Sequence, residues 1–394
     1  MPRNVVVVGA SVAGLSAAEA LRVKGYDGRL TLIGAERRPP YDRPPLSKQV
    51  LAGAWDPERV SLRDEAAIAR LDAELRLGQT VAGMDVRRRE LRIADDRLAF
   101  DAVVIATGVT PRRLPGDDLA GVHHVRTLDD AVTLRVALLS GPKVVVVGAG
   151  FLGAEIAATA RGMNLDVTLV DPLPAPLYRQ VGAGVAALVG QTHRDHGVRL
   201  QLNTGVSRFE ASAGRVTGVR LTNATVLDAD VVVVAVGSIP ATAWLAGSGL
   251  SLGDGVECDE LCRAAPGIYA AGDVASWYNP HFGRRMRVEH RHNASEQATA
   301  VAANLLGADQ PFAPVPYFWS DQYGVRLQGY GIFPPDSTTT VVYGEPADRK
   351  FAVAYQENEV VVGVLGWNCP PRELRALRQL VVTGSGRGLQ SVGE

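Results

Sequence analysis

The sequence predicts an α/β protein of two parallel-sheet units followed by a smaller C-terminal α+β domain. Three observations lead there. Two glycine-rich turns, GASVAGLSAAEA at residues 9–20 and GAGFLGAEIAA at 148–158, each follow a run of valines and open an alanine-rich stretch. The chain has 394 residues, more than one core usually covers, so two or three domains are expected. From about residue 311 the texture changes to aromatic and β-branched strands.

The valine runs Val5–Val8 and Val144–Val147 read as strands buried on both faces, as a parallel sheet requires. In the first turn Gly9 permits the sharp bend, Gly14 the close packing of helix on strand, and Ala13 lies between them. Ser11 stands where a glycine usually lets backbone approach a phosphate. The second turn keeps Gly148, Gly150 and Gly153. A helix N-terminus after such a turn faces a pyrophosphate, so both units read as Rossmann-like dinucleotide-binding domains. Two fingerprints in one chain point to a flavoprotein that also binds a nicotinamide. The strand Arg29–Ile33 is followed by Glu36, 22 positions after Gly14, and the strand Asp166–Val170 by Asp171, 18 positions after Gly153. Acids there suit ribose hydroxyls. The stretches FDAVVIATGVTPRRLP and LDADVVVVAVGSIPAT, which carry Thr107, Gly108 and Gly237, read as strands closed by a glycine turn where the chain crosses between domains. In GIYAAGDVAS, Asp273 is expected at the start of a helix. Beyond 311, strands at Tyr317–Trp319, Thr338–Tyr343 and Val360–Leu365 precede a basic helix after Pro371. The ending GSGRGLQSVGE reads as a mobile tail.

Composition narrows the class. A net charge of −1, from 41 basic and 42 acidic residues, gives no global attraction to nucleic acid or an anionic membrane. Three cysteines and a first strand without a hydrophobic leader predict a cytoplasmic protein, and no apolar run approaches the roughly 20 residues of a membrane span. Cys258 and Cys262 are spaced C-x3-C and Cys369 stands alone, so no redox dithiol is expected. The histidines offer no metal site.

The ordered motifs GASVAG, YDRPPLSK, IATG, GAGFLGAE, YAAGDVA, VEH and WSDQ resemble the FAD-dependent ferredoxin reductases of bacterial oxygenase systems, of the putidaredoxin reductase and biphenyl dioxygenase reductase type. The resemblance implies a glutathione-reductase-like core with an FAD domain at 1–108 and 236–310, an NAD domain at 109–235 and a C-terminal α+β domain at 311–394. It places Arg43 and Lys48 beside the flavin, Thr107 and Gly108 at the exit of the FAD domain, and Asp273 on the ribityl chain. The same resemblance implies that Val81 and Arg126 touch the FAD, that Trp319 borders its ring system, and that Glu289 and His290 stand nearby. Where the family commonly has an aromatic after VEH, this chain has Arg291. Disulfide reductases of this fold carry a Cys-x4-Cys pair after the ribose acid; PPLSKQVLAG has none.

Several of these residues admit two readings. Glu155 either reaches the nicotinamide or is a first-turn acid favoured by the helix dipole. Lys48 pairs with the flavin or with Glu155, or is a solvated lysine. Asp273 serves sugar hydroxyls or first-turn amides, and Trp319 the flavin or the core. Arg284, Arg285, Arg287 and Arg291 form either a docking patch for an acidic ferredoxin or a solvated surface. The resulting expectation is an enzyme carrying electrons from NADH, preferred over NADPH because Asp171 repels a 2′-phosphate, through flavin to a [2Fe-2S] ferredoxin. That ferredoxin supplies a cytochrome P450 or ring-hydroxylating (Rieske) oxygenase. A rubredoxin reductase, and a flavin-bound redox sensor resembling apoptosis-inducing factor, are the alternatives.

Overall fold

The computed structural model describes residues 2–384; the expected tail therefore lies, from residue 385 on, outside the described residues. The chain divides into two compact units. The first comprises Met1–Asp42, Val60–Thr110 and Ile239–Pro316, the second Arg43–Arg59, Pro111–Ser238 and Tyr317–Glu394.

In the first unit a six-stranded sheet runs in the order Arg263–Ala265, Ile268–Ala270, Ala102–Ile105, Asn4–Val8, Arg29–Gly34, Glu74–Leu77. Asn4–Val8 is central and parallel to both neighbours, with Val7 opposite Leu32 and Val104. Val5, Val6 and Val7 are fully buried, which explains why the strand is uniformly apolar rather than alternating. Helices Val12–Val23 and Arg291–Leu305 pack against each other in this unit. Smaller sheets are formed by Val81–Asp85, Glu90–Ile93 and Asp96–Ala99, and by four strands that include Gly255–Cys258 and Ala275–Asn279.

The second unit repeats the plan. Five parallel strands run in the order Arg199–Leu202, Asp166–Asp171, Lys143–Val147, Val231–Val234, Val122–His123. Residues 317 onward form an antiparallel five-stranded sheet, ordered Tyr317–Gln322, Val325–Gly331, Val360–Trp367, Lys350–Glu357, Thr338–Glu345, covered by helix Pro371–Thr383. Two of these strands, Val325–Gly331 and Lys350–Glu357, are additional to the three expected. Phe318, Phe351, Tyr355 and Trp367 join Val181, Val185 and Val189 of helix Tyr178–Asp195 in one core, so this sheet belongs with the nucleotide unit. Residues 43–59, which carry YDRPPLSK from Arg43 on, also group with this unit. The chain leaves the first unit after Thr110 and returns at Ile239, inside the two stretches expected as crossings.

Asp273 does not open a helix. The residues after it form the strand Ala275–Asn279, paired parallel with Gly255–Cys258 and antiparallel with Arg284–Met286. Pairing on both edges, and burial of Trp277, override the small-residue pattern that suggested a helix. No helix among the described residues is long and apolar enough to cross a membrane.

Candidate functional site: two glycine turns and a buried lysine–glutamate pair

The two turns have nearly the same geometry. Gly9 and Gly148 take φ of +118° and +98°, which L side chains rarely adopt, and a Cβ on either would lie 2.1 Å from Ala106 O or 2.3 Å from Ala235 O. A Cβ on Gly14 would meet Gly9 O at 1.7 Å, and one on Gly153 would meet Gly148 O at 1.8 Å. Each helix therefore sits directly on its turn. The middle position behaves differently: a Cβ on Gly150 would have only Gln180 Nε2 near it, at 3.5 Å, so the backbone is approachable there. Ser11 occupies the matching position and makes no capping bond to its helix, which leaves its hydroxyl for a ligand oxygen.

Neither helix start has a side-chain cap or an acid in its first turn. By contrast, helix Leu128–Leu138 of the second unit has a full capping box from Thr127 and Asp130. Uncapped amides at a glycine turn suit a pyrophosphate, and this donor set fits a dinucleotide in each unit.

Around the first turn, Glu36 accepts a 2.5 Å hydrogen bond from Tyr41. Ala13 Cβ lies 3.0 Å from where a Gly272 Cβ would stand, so the turn carrying Asp273 rests against the first helix. Buried Gln297 fixes that turn, accepting from Gly272 N–H at 2.9 Å and donating to Cys262 Sγ. Val81 is buried at a strand start; Thr107 donates to Ala241 O at 2.9 Å, and Gly108 O accepts from Ala241 N–H. Glu289 pairs with Arg287 at 2.6 Å. Desolvation pushes His290 down to about 4, against the opposing charge of Glu289. Arg291, the departure from the family pattern, pairs with Asp42 at 3.0 Å and donates to Ser295.

Around the second turn, Asp171 is buried and bound to backbone: Oδ2 accepts from Ala149 N–H at 2.6 Å and Oδ1 from Leu173 N–H at 2.8 Å. Each oxygen retains a lone pair for a hydroxyl. Gly237, with φ of +101°, accepts from Arg112 N–H through its carbonyl.

Glu155 is the fifth residue of helix Phe151–Gly162, beyond its first turn, which removes the dipole reading. The residue is 7% exposed and its carboxylate takes three donors. Lys48 Nζ and Ser47 Oγ each lie 2.6 Å from Oε2, and Ser320 Oγ lies 2.7 Å from Oε1. Lys48 is thus a largely covered ion-pair partner, 13% exposed at its side chain, not a solvated lysine. Arg43 donates to Arg126 O, and Trp319 is half-buried and stacks on Tyr317 with ring centroids 6.0 Å apart. Arg43, Lys48, Arg126 and Trp319 all belong to the second unit.

A family model described as pyridine nucleotide-disulphide oxidoreductase matches residues 3–298, and one described as reductase C-terminal matches residues 317–389. The chain belongs to this family. Over 385 residues it is 38% identical to the ferredoxin–NAD(+) reductase component of the anthranilate 1,2-dioxygenase system of Burkholderia cepacia, covering 96% of this chain and 94% of that one. It is 35% identical to rhodocoxin reductase of Rhodococcus erythropolis, with 96% and 90% covered. It superposes with a TM-score of 0.92 on a chain of the covalent putidaredoxin reductase–putidaredoxin complex, at 34% identity over 97% of this chain and 93% of that one. Within the family it is a ferredoxin reductase of the oxygenase-system kind, an FAD and pyridine-nucleotide enzyme.

Despite the family's name, this reductase shows no thiol suited to disulfide chemistry among the described residues. All three cysteines are buried and unpaired in disulfides. Burial pushes Cys258 up to about 12, Cys369 up to about 11, and Cys262 well above its ordinary value. No cluster of three or more metal-ligating side chains occurs among the described residues. Sequence reasoning missed Ser47, Gln297 and Ser320. Ser47 and Ser320 stood inside the motifs PPLSK and WSDQ, but nothing local marked them as ligands of a carboxylate more than 100 residues away.

Proposed function

We propose that this ferredoxin reductase takes its electrons from NADH in preference to NADPH and delivers them to a [2Fe-2S] ferredoxin serving a cytochrome P450 or Rieske oxygenase. The observation that carries the coenzyme preference is Asp171, an ionisable carboxylate held by two backbone amides at the end of its strand. Fixed there, it accepts from ribose hydroxyls and repels a 2′-phosphate. Comparable kcat/KM for NADH and NADPH would refute the preference; Asp171→Asn should narrow it by about tenfold, the worth of one charge-assisted hydrogen bond.

In this reading Gly9, Ser11, Ala13, Gly14, Glu36, Val81, Thr107, Gly108, Asp273, Glu289 and His290 serve FAD. Gly148, Gly150, Gly153, Asp171 and Gly237 serve NAD, and Arg43, Arg126 and Trp319 keep the flavin roles that the resemblance implies. FAD, when bound, supplies the change from a two-electron hydride donor to a one-electron acceptor. The chain's own contribution is orientation and a fixed field. A nicotinamide that gives up hydride becomes cationic, and Glu155, held by three donors, offers negative charge that needs no reorganisation. Lys48 pairs with that carboxylate in its buried setting.

For the partner, the docking surface in this reading is the basic cluster around Arg284, Arg285 and Arg287. Arg287 is engaged by Asp254 and Glu289, and Arg291 by Asp42. Arg285 spends part of its guanidinium on Cys258 O and Ser276 O. Charge reversal at Arg284 and Arg285 should raise the ferredoxin KM and flatten its salt dependence in ferredoxin-linked cytochrome c reduction. An unchanged KM and salt slope would remove this docking surface. Rapid flavin bleaching by NADH without any gain from several ferredoxins would argue against a ferredoxin acceptor.

A further inference from the structure

We infer that Ser320 is a positioning residue for hydride transfer, acting through Glu155, which makes the C-terminal sheet part of the reaction apparatus. The inference rests on the role proposed above for Glu155.

Both Lys48 and Ser47 bind the same carboxylate oxygen, Oε2. The terminal torsion of a glutamate is broad and roughly two-fold, so a carboxylate held at one oxygen can still swing the other. Ser320 Oγ supplies the second point, at 2.7 Å from Oε1. Its single proton is committed to that bond, because a carboxylate oxygen only accepts, and the hydroxyl in turn accepts from Gln322 Nε2 at 3.2 Å.

The strand that carries Ser320 is braced for the task. Phe318, Ser320 and Gln322 alternate onto the buried face of Tyr317–Gln322. Phe318 rests on Phe151, the first residue of the Glu155 helix, with ring centroids 4.9 Å apart. One strand therefore meets one helix at an aromatic contact and at a hydrogen bond, which sets the distance and rotation of the carboxylate together. Ser320 is fully buried. A buried hydroxyl on a strand face adds nothing to packing that alanine or valine would not, and costs desolvation unless bonded. Its worth lies in what it holds.

The test uses the FAD-loaded reductase and four variants: Ser320→Ala, Ser320→Thr, Glu155→Gln and the double Ser320→Ala/Glu155→Gln. Flavin bleaching by NADH is followed by anaerobic stopped flow, and NAD⁺ binding to the oxidised protein by calorimetry. Ser320→Ala should slow bleaching at saturating NADH by about tenfold, as expected for a misplaced reacting group, while NAD⁺ affinity stays within about twofold. Ser320→Thr, which retains the hydroxyl, should recover most of the rate. In the Glu155→Gln background the alanine substitution should add little, because the two residues act as one unit. Wild-type speed in Ser320→Ala while Glu155→Gln is slow would overturn the inference about Ser320 alone. Multiplicative slowing in the double variant would do the same. Wild-type speed in Glu155→Gln would instead remove the role of Glu155, and the inference with it.

Discussion

Replacing Lys48 by methionine isolates what the buried pair contributes to stability. Methionine has nearly the reach of the lysine stem, so the change deletes a charge and three donors with little loss of packing. The structure sets the magnitude. Nζ lies 2.6 Å from Glu155 Oε2, and the two side chains are 13% and 9% exposed. This is the regime in which removing one partner strands a buried charge, a loss of about 3–5 kcal/mol, rather than the 0–1 kcal/mol of a surface bridge. At about 2–4 °C per kcal/mol for a body of this size, the thermal midpoint should fall by about 6–20 °C. The Ser47 and Ser320 hydroxyls remain to Glu155, which favours the lower half of that range. Adding Glu155→Gln should return most of the loss, since a neutral amide strands no charge and can still meet both serines. The assay is thermal and urea unfolding of the FAD-loaded protein, with wild type, both single variants and the double in one series. A loss below about 1 kcal/mol for Lys48→Met, or simple additivity in the double, would refute the claim that the pair is desolvated and coupled.

The glycine turns give a pair of complementary outcomes. Gly153→Ala puts a Cβ 1.8 Å from Gly148 O and should weaken NAD⁺ binding by about tenfold or more while the protein retains its flavin. Gly14→Ala, with its Cβ 1.7 Å from Gly9 O, should instead lower flavin content; absorbance at purification and calorimetry with NAD⁺ read both. His193 predicts an acid-labile second unit. It is buried, bonded to Tyr323 at 2.9 Å, and pushed down to about 4 by desolvation, whereas the unfolded chain protonates near 6.5. Below pH 6.5 the unfolded state therefore binds the extra proton. The associated stability, about 3 kcal/mol, is present above pH 6.5 and is lost as pH falls toward 4. In a urea-midpoint series from pH 7 to 4, His193→Gln should lose part of the wild-type slope. His290, pushed to about 4 for the same reason, and His123 and His124, also lowered by burial, contribute to what remains. An unaltered slope would show that His193 is hydrated in solution.

How far the site could be read in advance depended on distance along the chain. Gly9, Gly14, Gly148 and Gly153 were legible because their constraint is local: each clashes with backbone only a few residues away or in the neighbouring strand. Glu36 and Asp171 were legible as acids at strand ends, but the amides of Ala149 and Leu173 that bind Asp171 were not. The misreading at Asp273 had a similar source. Ala275–Asn279 has no strong strand pattern of its own and becomes a strand because Gly255–Cys258 and Arg284–Met286 lie on either side. Likewise, most partners of the arginines close in sequence come from elsewhere in the chain: Arg287 is engaged by Asp254 and Glu289, Arg291 by Asp42, and Arg285 by the carbonyls of Cys258 and Ser276.

The sequence by itself determined the parallel α/β plan, the two dinucleotide turns, the α+β character of the C-terminal domain and the family, because these follow from short-range periodicity, glycine sterics and motif order. Tertiary structure alone decided that residues 43–59 and the C-terminal sheet group with the second nucleotide unit, and that Glu155 is a buried, triply bonded carboxylate. The physical reason is the same for each. Burial and charge pairing are settled by which distant segments share a core: Lys48, Glu155 and Ser320 come from three stretches separated by 107 and 165 residues, and no local pattern carries that information.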